Sequence, residues 1–506
     1  MTDTSHSLTG LDLALGTVAD LAPRTRFSLE AAALTRMQAS RAAVDHAVAR
    51  GQASYGITTG FGVFANRRIA PDQLLNLQAN LVRSHAAGVG APLKPEHVRR
   101  VLLLKANNLA AGFSGIRPAL VEALLALLSA DVLPRIPGRG SVGASGDLAP
   151  LAHLALTLIG EGVADKDGQT LEGRAACQAA GFEPFTLGAK EGLALLNGTQ
   201  VSTALAIAGW QRAKRLLEST LVIGALTVEA LAGSHVPFDA RIHAARGQAG
   251  QRKVAAAMRS LLGESSLHSS HADCDRVQDP YAVRCQPQVA GGAWDTLEHA
   301  GRVLAGEVNG VSDNPLIFGE DILSGGNFHA APIGLVADFL AIALADVASI
   351  AERRIDLLNR RVNPSLSMFL TSEPGLESGY MLAHVTAAAL ASENKTLAHP
   401  ASVDSIPTSA GQEDHVSMAP WAGHKLLMVC ENLATIAAIE LLVASHALDS
   451  QRPLKTTGPL EALHAMLRRA VPYHPGDHRL DGEIRAATAL IDSGAVAALL
   501  GGQLDR

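Results

Sequence analysis

Between residues 138 and 153 the chain reads GRGSVGASGDLAPLAH, and the centre of that stretch can do unusual chemistry. The Gly146 nitrogen carries no side-chain crowding, so it can approach the Ala144 carbonyl carbon in a tight turn. Attack there closes a five-membered ring. Loss of two waters, one of them from the Ser145 hydroxyl, leaves an exocyclic methylene. The product is a methylidene-imidazolone, an electrophile that none of the twenty side chains supplies. Two plainer readings compete. Ala-Ser-Gly is common in turns, and the loop can simply precede a helix with Asp147 near its N-terminus. Gly138, Gly140 and Gly143 also fit the dinucleotide pattern G-x-G-x-x-G, which needs a preceding strand and a βαβ unit. Pro134 and Pro137 interrupt the upstream segment and argue against a central strand, so that match is read as accidental.

Other stretches bear groups with chemical potential. Residues 55–62, YGITTGFG, are too glycine-rich for a regular element and hold Tyr55 on a loop, either as a packing residue or as a phenol for proton transfer. Ser84 and His85 lie in the helical pattern LLNLQANLVRSHAA. Asn197 closes KEGLALLNGT, where it can cap the next helix. CDRVQDPYAVRCQPQ carries Gln278, Tyr281 and Arg284, GGNFH carries Phe328, and QEDHVSM carries Glu413. His268, His271, Cys274 and Cys285 also approach zinc-ligand spacing, but no second compact Cys/His pair completes the array.

Together these segments resemble the aromatic amino acid ammonia-lyase family over roughly residues 50–450, in particular its histidine-specific members. The resemblance implies a cofactor, 4-methylidene-imidazol-5-one, formed autocatalytically from Ala144, Ser145 and Gly146, with no metal or nucleotide. It implies that Tyr281 removes the β-proton, that Tyr55 assists proton transfer at the amine, and that Arg284 holds the substrate carboxylate with a two-point fork. Gln278 is its polar neighbour, Asn197 is an amide donor beside the cofactor, and Phe328 lies close to it. His85 and Glu413 read the substrate side chain. Ser-His at 84–85 and Gln-Glu-Asp-His at 412–415 match histidine-specific relatives, and a carboxylate can accept from an imidazole N–H as a phenyl ring cannot reciprocate. Thr58 and Gly411 stand where relatives often have Asn. The expected reaction is deamination of L-histidine to trans-urocanate and ammonia, in a homotetramer whose subunits complete each other's sites. A phenylalanine or tyrosine lyase or aminomutase, a fumarase-like lyase, and an inactive helical scaffold are the competing readings.

The elements that must position these residues are mostly helices. Hydrophobic residues make up 48%, aromatics 4% and charged residues 18% of 506, so Ala, Leu and Val fill the interior and favour helix over strand. Helices are expected near residues 28–50, 74–87, 118–129, 148–160, 200–232, 293–309, 333–359, 378–398 and 420–447, with a hairpin within 162–190. Long apolar helices of this kind hide one another in a bundle. The fold expected is mainly all-α, a long-helix bundle of the fumarase/aspartase type, with a loop-rich N-terminal domain over 1–197 and the bundle over 198–506. A net charge of −6 gives no electrostatic footprint for nucleic acid. Four cysteines and no basic, apolar leader point to a reducing cytoplasm. The apolar run 333–351 carries Asp338 and Asp346 and reads as a bundle helix, not a membrane span.

Overall fold

The structure is a computed structural model that describes residues 6–51, 54–64, 66–271 and 276–505. Helix dominates: 19 α-helices and seven short 3-10 helices together hold 60% of the described residues. The expected helices form close to their anticipated bounds, including Ala31–Ala49, Pro118–Ala130 and Met381–Leu397, and the hairpin pairs Val163–Lys166 with Gln169–Glu172. The helix expected at 293–309 starts earlier and spans Gln286–Val308.

The chain packs as two compact units, and neither is a single run of sequence. The first comprises residues 1–208, 301–337 and 400–424; the second comprises 209–300, 338–399 and 425–506. A linear division at residue 197 is therefore a different partition from these interleaved units. All paired strands among the described residues belong to the first unit.

Five helices of the first unit matter for the site: α1 (Leu74–His85), α2 (Pro95–Ala110), α3 (Leu148–Leu158), α4 (Glu191–Leu196) and the start of α5 (Gln200–Ala230). Helices α1, α3 and α4 pack on one another. Each ends or begins at a residue singled out above: His85 ends α1, Asp147 precedes α3, and Asn197 follows α4. Helix α2 is a surprise. Its residues from Arg100 to Ala110 are all buried, so no solvent-facing stripe gives it a readable period. Pro95 fits its first turn, where the missing N–H costs nothing.

In the second unit, Arg354 grips Glu440 through two nitrogens at 2.5 and 2.8 Å, and Thr227 donates to the same carboxylate at 2.7 Å. A buried pair this well bonded fixes register more than it adds stability. Two helices, α6 (Ala331–Asn359) and α7 (Ala419–Asp449), are long and apolar enough to cross a membrane. Their most apolar windows are 56% and 72% buried against the rest of the chain, as core helices are. On α6, however, Leu335, Phe339 and Ile342 share one face and stay 43–44% exposed.

Candidate active site

The loop before α3 is held from several sides. Strand β1 (Val89–Pro92), just after α1, pairs antiparallel with β2 (Pro137–Arg139), and His424 Nε2 bonds the Gly138 carbonyl at 2.8 Å. The dinucleotide reading has no βαβ unit to rest on here, because β2 runs antiparallel to its partner. Further along, the Gly143 carbonyl accepts from Ser417 Oγ at 2.8 Å and Ala330 N at 3.3 Å, and Met418 N donates to Val142 O at 2.8 Å. At Gly146 the backbone is left-handed, φ +74°, and lies against Gly198 so closely that a Cβ would fall 2.2 Å from the Gly198 oxygen. Only glycine fits. Asp147 N then donates to that same Gly198 oxygen at 2.8 Å.

Asp147 precedes α3, but its carboxylate serves another helix. It accepts from Ser202 N at 2.7 Å, Ser202 Oγ at 2.8 Å and Ser141 Oγ at 2.9 Å, which places it on the N-terminus of α5. The positive end of a helix suits an anion. Full burial raises the Asp147 pKa above its ordinary value, against the pull of the Ser202 and Ser141 hydrogen bonds.

Ser145 Oγ donates to Glu413 Oε1 at 2.6 Å across 268 residues of sequence. The other Glu413 oxygen accepts from Thr408 Oγ1 at 2.6 Å and Ser409 Oγ at 2.8 Å. That grip comes from a left-handed run, Ser409 at φ +51°, Ala410 at +55° and Gly411 at +83°. Asn is the side chain best tolerated in this region and glycine adopts it freely, so Gly411 in place of Asn keeps the turn. Burial alone would push the Glu413 carboxyl up; the hydrogen bonds from Ser145, Thr408 and Ser409, with the charge of His85, hold it below its ordinary 4.5. A carboxyl depressed by folding contributes stability above its unfolded pKa and loses it as pH falls through the folded one. Glu413→Gln removes that term. The melting-temperature gap between wild type and Glu413→Gln is expected to be largest near pH 7 and to shrink below about pH 4.5; a gap constant down to pH 3 contradicts the assignment.

His85 Nδ1 lies 2.8 Å from the Leu81 carbonyl. A carbonyl only accepts, so the proton sits on Nδ1 and leaves Nε2 as an acceptor. Burial lowers the His85 pKa, partly offset by the Leu81 carbonyl and by Glu413, so the ring is neutral at pH 7. Asn197 Nδ2 donates to Asn314 O at 2.9 Å, while its buried Oδ1 has no partner. Sequence reasoning gives Asn197 the role of a donor; its unused atom is an acceptor. A carboxylate, an imidazole nitrogen and an amide oxygen together suit a substrate rich in N–H groups.

The Tyr55 loop closes on itself. Gly62 N donates to the Tyr55 hydroxyl at 3.1 Å, and the ring meets Phe61 edge-on at 6.4 Å. The turn Gly62–Phe64 packs on the turn Ser409–Gly411, so the loop touches the support of Glu413. Phe328 is half-buried, two residues before the Ala330 that bonds Gly143. Gln278, Tyr281 and Arg284 belong to the second unit. Tyr281 is 70% exposed, Gln278 is exposed, and the Arg284 guanidinium lies 4.6 Å over the Tyr281 ring with its Nε donating to Asp279 O at 2.9 Å. His268 stacks on His235 at 3.8 Å between centroids, and Cys274 lies outside the described residues.

Several residues of the site carry no role in the sequence reading: Thr408, Ser409, Ser417 and Gly198. Gly198 and Ser417 sit inside quoted motifs, but nothing local says what they touch.

The site is a small-residue loop pinned beside a carboxylate and a histidine in a mostly helical chain. Residues 13–469 match the aromatic amino acid lyase family. The chain belongs to that family. It is 55% identical over 463 residues to a histidine ammonia-lyase of Paracidovorax citrulli, covering 91% of this chain and 90% of that one. Its fold is similar to histidine ammonia-lyase from Trypanosoma cruzi, with TM-score 0.90 and 39% identity over 99% of this chain and 95% of that one. It is also similar to tyrosine aminomutase from Streptomyces globisporus, with TM-score 0.92 and 35% identity over 99% of both chains.

Proposed function

We propose that the chain removes ammonia from L-histidine to give trans-urocanate. The observation that carries this reading is the Glu413 carboxyl bonded to Ser145, with His85 near enough for each to shift the other's pKa. The residues fit a ring formed from Ala144, Ser145 and Gly146: position 146 has no room for a Cβ, and the buried Asn197 Oδ1 lacks a partner. Such a ring supplies an electrophile that takes up the substrate amine and makes it a better leaving group.

The side chains do the rest. Glu413 and His85 orient the imidazole, and the Asn197 oxygen accepts from the amine. Arg284 holds the carboxylate through its planar fork. Tyr281 takes the β-proton and Tyr55 relays a proton at the amine. Gln278 and Phe328 line the site. Tyr281 and Arg284 lie at the exposed end of a loop anchored by Asp279, which accepts from Ser234 N at 2.7 Å. That exposure suits a loop offered to a neighbouring subunit. The apolar stripe Leu335, Phe339 and Ile342 on α6 likewise calls for a covering partner, and a homotetramer in the cytoplasm with sites shared between subunits accounts for both.

Absorbance of the purified protein with L-histidine, L-tyrosine and L-phenylalanine in parallel tests the reading. Urocanate from histidine alone is expected. Cinnamate or coumarate would keep the cofactor and remove His85 and Glu413 as readers of the side chain.

A further inference from the structure

We propose that Lys105 is a positioning residue for ring formation, pinning the Asn197–Gly198 peptide against which Gly146 is bent. The inference rests on the cofactor reading above. Lys105 lies on the buried helix α2 with none of its surface exposed. Its Nζ donates to the Asn197 carbonyl and lies 3.5 Å from Gln200 Oε1. Gln200 Nε2 in turn donates to Ser312 Oγ at 3.0 Å, and that oxygen also accepts from Thr199 N at 3.3 Å. The linker from α4 to α5 is thus fixed on one side by Lys105 and Ser312. On the other it presents Gly198 to Gly146 and to Asp147 N.

A buried ammonium is costly, and full burial brings the Lys105 pKa down to about 7. The neighbouring buried lysine, Lys190, pairs with Asp313 at 2.7 Å; Lys105 Nζ bonds a carbonyl and lies near an amide oxygen, with the charges of Asp313 and Asp147 acting on it from further off. An apolar residue would fill the same space at less cost. What the ammonium adds is a strong hold on one helix-terminal carbonyl, Asn197 O, the kind of group cations favour. Turning that peptide would carry Gly198 away from Gly146.

The step it serves is a redox-neutral double dehydration. Gly146 N forms a bond to the Ala144 carbonyl carbon. The carbonyl oxygen leaves as water with the amide hydrogens of Gly146 and Ser145, and Ser145 Oγ leaves as water with the Ser145 α-hydrogen.

Intact mass against time after a pulse of cell-free synthesis measures this step on newly made chains, isolated folded by size exclusion. Wild type is expected to become two waters lighter. Lys105→Met is expected to do so on the order of tenfold more slowly, as befits loss of a hydrogen bond from a charged group. Lys105→Arg, which restores a charged donor, is expected near the wild-type rate. That rescue separates positioning from simple packing. Lys105→Met at the wild-type rate overturns the proposal. Should Lys105→Met yield no folded chain, Gln200→Leu decides: it loosens the seat of the ammonium without an unpaired buried charge, and an unchanged rate overturns the proposal equally. A wild-type chain that never loses two waters would sink the cofactor reading instead.

Discussion

Ser145→Ala is expected to leave a folded chain whose turnover of histidine falls by on the order of 10³-fold or more. Without Oγ there is no second water to lose, so no methylene can form and the intact mass drops by one water at most. The structural loss is small. Ser145 Oγ donates to Glu413 at 2.6 Å only until ring formation removes that oxygen, so the variant lacks no bond that the cyclised wild type keeps. Glu413 keeps its bonds from Thr408 and Ser409, so the wall of the site persists. A melting curve close to wild type, combined with absent turnover and an uncyclised mass, is the expected set of results. Normal turnover in Ser145→Ala would remove the loop from the chemistry altogether.

Tyr281→Phe is expected to lower kcat by about 10²–10⁴-fold, the usual worth of a positioned acid or base, with KM within a few-fold. The substitution deletes only the hydroxyl. The ring that lies 4.6 Å beneath the Arg284 guanidinium remains, and a phenyl face holds a cation as well as a phenol does. Carboxylate binding should therefore survive, as should the intact mass two waters below the sequence mass. If kcat moves less than a few-fold, another group takes the β-proton.

The long helices were legible because their apolar content and caps are local properties. Residues 74–85 and 148–158 announce themselves through spacing, and the 162–190 excursion through its turn residues. Helix α2 was not legible, because a helix buried on every side, with Lys105 and Asn107 among its leucines, has no amphipathic period. The site divides the same way. The loop 144–146 and the motifs at 85, 197 and 413 could be found in sequence, but their contacts span hundreds of residues. No local rule says that Ser145 meets Glu413, that Ser417 holds Gly143, or that Asp147 sits on the N-terminus of α5. The glycines at 138, 140 and 143 show the reverse: they form a pattern in sequence, yet Gly138 belongs to a strand antiparallel to β1 and the Gly143 carbonyl is held by Ser417. Asn197 is singled out in sequence, but nothing local says that its Nδ2 is spent on Asn314 while its buried Oδ1 is left without a partner.

On the proposed ring formation, the bond from Ser202 to Asp147, together with the contact between Gly198 and Gly146, sets an order of events during synthesis. A chain emerging from the ribosome contains Ala144, Ser145 and Gly146 well before it contains the surface that bends them. Until residues 198–202 have cleared the exit tunnel and begun to coil, the tripeptide is an ordinary flexible segment and chemically inert. A nascent chain stalled at residue 190 should weigh what its sequence says.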